Sequence, residues 1–366
     1  MARSSVLIAC GGTGGHLFPG IAVAQALKAR GVASLLAISE KQVDRTASQA
    51  YPDLEFLPIA GRPMPRLWSP GMVPFLGTSV RAFRQCRTAM LANNVGAVLG
   101  MGGFTSMMPV LAGRMAGLPV FLHDSNAVPG KANRWAARFA TTFFLGLPAA
   151  AAHTGNAPVE VVGTPVRDEF KALPDRAMAL RHFDLDPARK TLLVLGGSQG
   201  ARALNRATVD ALASFDPHSV QVIMLTGAAD NAATIAAIAE RGLPHQIRVH
   251  AFCRDMPSAY ACADIALARA GASSLSELAT VGLPAILVPY PYAADDHQAA
   301  NALAYAGKGG AEIITEERLT GTSLAAMLRN LWSQPDLLPR MAENMRECAP
   351  AAAAASMADH ITAALK

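Results

Sequence analysis

The sequence predicts an α/β protein of two doubly wound, Rossmann-like domains, and three observations lead there. Short β-branched or apolar runs alternate with helical patterns from end to end, the mark of repeated βαβ units and parallel sheets. The pattern restarts midway. Leu7-Ile8-Ala9-Cys10-Gly11-Gly12-Thr13-Gly14-Gly15-His16 and Leu193-Val194-Leu195-Gly196-Gly197-Ser198-Gln199-Gly200 each read as a strand, a glycine cluster and the start of a helix. At 366 residues, the chain also exceeds what one compact core accommodates.

In the first half Val6–Cys10 reads as a strand, Pro19–Arg30 as a helix with its proline in the first turn, and Val32–Ile38 as a strand. Strands are expected at Ala97–Gly100, Val120–His123 and Val159–Val162, and helices at Thr105–Ala116 and Lys131–Ala140. The second half opens with a strand Thr191–Leu195 and a helix Ala201–Ser214. Strands follow at Val220–Leu225, Ile247–Ala251, Ile265–Leu267 and Ala285–Val288. The boundary is expected at Gly163-Thr164-Pro165, where a strand ends on Gly and Pro. This gives domains 1–163 and 164–346, with an alanine-rich helix within about 347–366 packing back on the first.

Composition removes several classes. The chain is 51% hydrophobic and 16% charged with mean hydropathy +0.25, which excludes disorder and coiled coil. No apolar run approaches the length of about 18 residues that a spanning helix needs. Five cysteines, an odd number without metal-ligand spacing, argue against a disulfide framework or a zinc cluster and for a reducing, cytoplasmic setting. The segment Ser4–Cys10 is too short for a secretion signal and reads as a buried first strand.

Charge is divided unevenly. Residues 1–165 hold 14 Lys/Arg against 6 Asp/Glu, whereas 166–366 hold 18 against 21. Between Phe56 and His123 there is no acid, but Arg62, Arg66, Arg81, Arg84, Arg87 and Arg114 are present. Such an excess attracts phosphates. Arg62–Leu91 interleaves its arginines with Met64, Leu67, Trp68, Met72, Val73, Phe75, Leu76 and Phe83. Arg81, Arg84 and Arg87 share one side of a helix, as an anionic membrane surface would require. The alternative is a partly buried helical hairpin with a solvated basic face. No base-reading module accompanies the charge, so nucleic acid is not expected.

The glycine loops can cradle an anion with backbone N–H groups at a helix N-terminus, or can be merely tight turns. Neither is a P-loop, and the first lacks the ribose acid of a dinucleotide fingerprint. Facing one another across an interdomain cleft, they would bind one ligand. His16 opens the first helix and is either a backbone-bonded histidine or a neutral general base. In Arg269-Ala270-Gly271-Ala272-Ser273-Ser274-Leu275-Ser276-Glu277, the hydroxyls and Glu277, expected in the first helical turn, suit a capping box. They equally suit a diphosphate and a ribose diol. Pro289-Tyr290-Pro291-Tyr292 leads into Asp295-Asp296-His297-Gln298 and Asn301, where either aspartate can cap a helix. Adjacent positions diverge on a helix, so a metal there is not expected.

Together, Gly11–His16, Gly102-Gly103-Phe104, Gly163-Thr164-Pro165-Val166-Arg167, Gly196–Ala201 and Ser273–Glu277 with His297-Gln298 resemble the MurG family of N-acetylglucosaminyltransferases. The resemblance runs in order from about Val6 to about Met345. It implies a B-type glycosyltransferase fold, an acceptor- and membrane-facing first domain and a UDP-sugar-binding second domain. The implied reaction is inverting transfer of N-acetylglucosamine from UDP-N-acetylglucosamine to the 4-hydroxyl of undecaprenyl-diphosphate-linked N-acetylmuramyl pentapeptide. No cofactor or metal is implied, and the implied place is the cytoplasmic face of the membrane, with other cell-wall synthesis proteins as further candidate partners.

By the same resemblance, Thr13, Gly14 and Gly15 would line the donor or acceptor phosphate region, and Asn126 would contact the transferred sugar. Arg167 and Ser198 would contact the diphosphate, and Phe252 would read uracil through its backbone. Ala272, Ser273, Ser274, Leu275 and Ser276 would cradle the phosphates, Glu277 would bind the ribose hydroxyls, and Gln298 would hold sugar hydroxyls. His16 is the expected catalytic base. The family often has His-Glu-Gln-Asn where this chain has His123-Asp124-Ser125-Asn126. The competing readings are a UDP-N-acetylglucosamine 2-epimerase or a transferase with another acceptor, then a non-catalytic membrane scaffold, then a dehydrogenase.

Overall fold

The computed structural model describes residues 5–40, 49–62, 65, 66, 68–197, 200–349 and 352–365. It divides into two compact units, one of Met1–Asp168 with Pro350–Lys366, the other of Glu169–Ala349. The first therefore extends a few residues past the expected junction.

In the first unit the strands are β1 (Ser5–Ala9), β2 (Ala33–Ser39), β3 (Glu55–Ile59), β4 (Val95–Gly100), β5 (Val120–Asp124), β6 (Thr142–Leu145) and β7 (Val159–Val161). All described pairings are parallel, in the order β3-β2-β1-β4-β5-β6-β7. The helices are α1 (Gly14–Lys28), α2 (Met72–Ala92), α3 (Met107–Met115) and α4 (Lys131–Ala136). Every residue of β1 is buried because both faces of the sheet are covered. Val6 and Ile8 join Leu17, Ile21 and Ala24 of α1 on one face. Leu7 and Ala9 meet Cys86 and Met90 of α2 and Ala112 of α3 on the other.

Sequence reasoning misplaced one helix start here and did not predict two strands, β3 and β6. The first helix begins at Gly14, not Pro19, so Pro19 lies inside it rather than in its first turn. The glycines themselves form the opening turn, which brings the helix N-terminus directly against the loop. Strand β3 was missed because it contains Pro58 and opens on Glu55. It sits at the sheet edge, where a missing N–H is tolerated.

The second unit holds β8 (Lys190–Leu195), β9 (Val220–Leu225), β10 (Ile247–His250), β11 (Ile265–Ala268), β12 (Ala285–Leu287) and β13 (Ala311–Ile313). Their order is β10-β9-β8-β11-β12-β13, again parallel throughout. The helices are α5 (Arg176–His182), α6 (Arg202–Leu212), α7 (Asn231–Glu240), α8 (Met256–Cys262), α9 (Ala272–Val281), α10 (His297–Ala306), α11 (Gly321–Ser333) and α12 (Leu337–Glu347). Leu192 and Val194 of β8 pack with Leu204 of α6 and Leu324 and Leu328 of α11.

The chain then returns to the first unit as α13 (Ala353–Leu365). Met357, Ala358 and Ile361, at helical spacing, enter the same cluster as α1. Arg30 fixes the orientation by pairing with Asp359 at 2.7 Å and donating to the Ala355 carbonyl at 3.1 Å.

Candidate functional site

In both sheets the strand order reverses beside the first strand of the unit, between β1 and β4 and between β8 and β11. Loops leaving the carboxyl ends of those strands are the expected ligand position in an open α/β sheet. The glycine loops occupy that place.

In the first unit Gly12 (φ 110°) turns the chain out of β1, and Thr13 takes extended geometry before α1. A Cβ at Gly11 would lie 2.3 Å from the Ser39 nitrogen, so only glycine fits. Thr13 makes no side-chain cap to its helix. Instead its Oγ1 lies 3.0 Å from His16 Nδ1. Thus His16 is held by a side chain, not by the backbone alone. Its ring rests on the loop after β4, against Gly102 (φ 101°) and Gly103 (φ 75°). A Cβ on Gly102 would stand 3.1 Å from His16 Nε2 and from Asn133 Nδ2. Ser106 fixes that loop, donating to the Gly102 carbonyl at 2.6 Å and accepting from the Gly102 N–H at 3.0 Å.

The end of β5 completes this cluster. Buried Asp124 accepts at Oδ1 from Asn126 N (3.0 Å) and Nδ2 (3.2 Å), and at Oδ2 from Gly130 N (2.9 Å) and Asn133 Nδ2 (2.9 Å). Asn133 also donates to the His123 carbonyl at 2.8 Å. Asp124 is therefore the knot of the loop that carries Asn126, a use the shorter carboxylate suits. His123 Nε2 donates to the Gly163 carbonyl at 3.0 Å. Burial pushes its pKa down to about 4, against the opposing pull of that carbonyl and of Asp124, so the ring is neutral.

Arg167 is also in this unit. Its guanidinium lies 4.1 Å from the Phe18 ring centre on α1 and donates to the Tyr51 hydroxyl at 3.0 Å. The residue is 6% exposed.

In the second unit the loop after β8 uses Gly197 (φ 75°) and Gly200 (φ 76°). A Cβ on Gly200 would fall 2.3 Å from the Thr226 carbonyl oxygen, so this loop packs on the end of β9. Ser198, expected on the diphosphate, lies outside the described residues. Beside it, the chain leaves β11 through Arg269-Ala270-Gly271 into α9. Gly271 is the N-cap and makes no side-chain bond, so the capping box is not formed. Glu277 lies in the second turn rather than the first, because the helix starts at Ala272. The amides of Ala272, Ser273 and Ser274 consequently lie in the first turn of this helix, at the positive end of its dipole. Leu275, Ser276 and Glu277 are buried behind them.

Three side chains that sequence reasoning did not assign hold this half. Asn301 of α10 donates to the Ala270 carbonyl at 3.1 Å. Arg269 donates to the Val288 and Pro289 carbonyls at 3.2 and 3.4 Å and pairs with Glu316. Tyr260 of α8 donates to Glu277 Oε2 at 3.0 Å. Gln298 Oε1 accepts from Tyr290 N at 3.0 Å, tying α10 to the Pro-Tyr loop. Asp295 and Asp296 both take left-handed φ (52° and 51°), and Asp296 stands at the N-cap without a side-chain cap bond, so the expected aspartate cap is not made. Phe252 follows β10 and is 58% exposed. A separate cavity of about 430 Å³ is lined by Lys190, Asp264, Pro284, Trp332 and neighbours. It opens at the amino ends of the strands, the wrong end for these loops.

Helix α2 has one more feature. Ala82, Cys86, Ala89 and Met90 face the core, while Val73 (77%), Leu76 and Val80 lie exposed along the outer stripe that continues into Arg84 and Arg87. Phe83, expected on the outer surface, packs inward. Met64 and Leu67 lie outside the described residues.

Comparison with known proteins gives one consistent result. The glycosyltransferase family 28 N-terminal domain matches residues 6–145, and its C-terminal domain matches 191–361. A relative from Acidithiobacillus ferrooxidans is 39% identical over 360 residues, covering 97% of this chain and 96% of the relative. It is named UDP-N-acetylglucosamine--N-acetylmuramyl-(pentapeptide) pyrophosphoryl-undecaprenol N-acetylglucosamine transferase. The crystal structure of Acinetobacter baumannii MurG superposes with TM-score 0.74 at 28% identity, over 98% of this chain and 99% of that one. A putative UDP-N-acetylglucosamine 2-epimerase from Listeria monocytogenes superposes almost as well, TM-score 0.73 over 100% and 96%, but at 14% identity. Fold alone thus leaves epimerase and transferase together, and sequence separates them.

Proposed function

The chain belongs to the N-acetylglucosaminyltransferases of glycosyltransferase family 28 that act on lipid-linked muramyl pentapeptide, and from this we propose how its own residues carry the reaction. Its fold is the B-type glycosyltransferase fold. It transfers N-acetylglucosamine from UDP-N-acetylglucosamine to the undecaprenyl-linked acceptor, and the observation that carries this is 39% identity across both units.

The transfer is inverting. The acceptor 4-hydroxyl attacks the anomeric carbon in line, the bond from that carbon to the diphosphate breaks, and UDP leaves. His16 takes the hydroxyl proton. The required tautomer has Nδ1–H donating to Thr13 Oγ1, with the lone pair on Nε2 at the Gly102 edge, an arrangement the 3.0 Å contact supports. Thr13, Gly14 and Gly15 line the phosphate region around it, and Asn126, held by Asp124, contacts the transferred sugar.

The second unit holds the donor. Amides of Ala272, Ser273 and Ser274, with the loop containing Ser198, offset charge developing on the leaving diphosphate. Leu275 and Ser276 pack beneath them. Glu277 accepts from the ribose diol, the Phe252 backbone reads uracil, and Gln298 holds sugar hydroxyls. Arg167 adds a cation for the diphosphate. Fixed amides and a guanidinium supply this stabilisation without a metal.

No helix among the described residues is long and apolar enough to cross a membrane. The outward stripe of α2 supports peripheral docking on an anionic cytoplasmic membrane face. Valine and leucine would enter the interface while Arg84 and Arg87 meet lipid phosphates, at about 1 kcal/mol per cation. Arg84→Glu with Arg87→Glu should abolish flotation with anionic vesicles and leave UDP binding intact.

The direct test is UDP release from UDP-N-acetylglucosamine in EDTA, with and without a short-chain lipid-linked muramyl pentapeptide. Acceptor-dependent release is expected. Dependence on added divalent cation would overturn metal independence, and retention of configuration in the product would overturn inversion.

A further inference from the structure

Glu277 is 9% exposed and so carries its charge largely away from water. A carboxylate in that position needs hydrogen bonds to remain ionised, and one without an anchor turns among rotamers. The Tyr260 hydroxyl provides one such bond, 3.0 Å to Oε2, within the protein interior. Tyr260 itself is 2% exposed, and Phe170 meets its ring edge-on at 5.5 Å. Helix α8, which carries it, is fixed at its start by Asp255 Oδ1 accepting from Ser258 N at 3.1 Å. The phenol is therefore a rigid post, held by packing before any ligand arrives.

We infer that Tyr260 is a positioning residue for the donor ribose: it anchors one oxygen of Glu277 so that the carboxylate presents a fixed edge to the vicinal diol. This rests on the reading of Glu277 as the ribose ligand. Tyr260 touches no reacting atom, so its effect falls on donor recognition and not on bond cleavage. A carboxylate held this way distinguishes a diol from a single hydroxyl more sharply than a mobile one, because the second bond costs no further ordering.

The test uses the full chain with UDP and 2′-deoxy-UDP titrated calorimetrically into wild type, Tyr260→Phe and Glu277→Gln. Donor KM, kcat and melting temperature are measured alongside. Phenylalanine keeps the ring and its contact with Phe170, so folding is preserved. Wild type should prefer UDP by about tenfold, the scale of one hydrogen bond to a charged group. Tyr260→Phe should narrow that ratio to about threefold and raise donor KM several-fold, with kcat within about twofold. An undiminished ratio in Tyr260→Phe would overturn the positioning role, even if KM or melting temperature changed, since a purely structural defect weakens both ligands alike. Equal affinities of wild type for the two nucleotides would instead overturn the ribose role of Glu277, and the inference with it.

Discussion

The two glycine loops are built alike and furnished differently. Each leaves the first strand of its unit at the point where strand order reverses, and each opens a helix. The first is followed by a titratable ring, His16, laid on a neighbouring loop whose glycines leave room for it. The second is neighboured by amides, hydroxyls and a buried carboxylate anchored by a phenol. On the proposed reading, one supersecondary unit serves proton transfer beside a phosphate region in one place and diphosphate and diol binding in the other. What differs is the first side chain after the glycines and the loop alongside.

If that division holds, two substitutions should separate cleanly. His16→Ala should lower kcat by about 10²–10⁴-fold, the usual worth of a positioned base, with UDP affinity unchanged. Glu277→Gln should raise donor KM by about 10- to 100-fold with a much smaller change in kcat. Steady-state kinetics and UDP calorimetry on both variants check this. Loss of UDP binding in His16→Ala would break the comparison, because the first loop would then also be a nucleotide site.

A subtler change sharpens it. Gly102→Ala adds one methyl at φ 101°, 3.1 Å from His16 Nε2. The backbone strain alone is worth about 1–3 kcal/mol, and the ring must shift from its seat. We expect kcat to fall by about tenfold with melting temperature reduced and donor KM unmoved. Gly197→Ala, where a Cβ would meet nothing within 4 Å, keeps the strain and lacks the clash. It should lower stability without that fall in kcat.

How much of this was legible in the sequence depended on distance along the chain. The run Val6–Ala9 followed by glycines announced a buried strand and a loop, and the same signal recurred at Leu193–Gly200. Glu55–Ile59 was hidden by Pro58, since only its place at the edge of the sheet makes the proline acceptable. His16 stood out, but its seat did not, because Gly102 and Gly103 reach it only through the pairing of β1 with β4. Tyr260 carried no local spacing signal at all, and Asn301 showed only as the end of a polar cluster, without a role. Their partners, Glu277 and the Ala270 carbonyl, become neighbours only when α8, α9 and α10 assemble. The helix start at Gly14 was misread for a different reason: a proline suggests a first turn, yet here the glycines form it.

The smallest effect concerns how the two units respond to acid. His123 is fully buried in the first unit, and burial lowers its pKa to about 4 from an ordinary 6.5. In the second unit His245 and His250 are also pushed down, first by burial, but sit nearer the surface. A depressed folded-state pKa means the neutral ring favours the native state above pH 6.5. As pH falls from 6.5 towards 4, the unfolded chain binds a proton that the folded chain refuses, and stability is lost. The loss should be larger in the first unit. Hydrogen exchange on the whole protein at pH 7, 6 and 5, corrected for intrinsic rates, should show protection around β5 falling faster than around β9. His123→Gln, which removes the titrating ring, should flatten the difference. Equal loss in both units, unchanged by that substitution, would mean that acid sensitivity does not reside in the histidine at the end of β5.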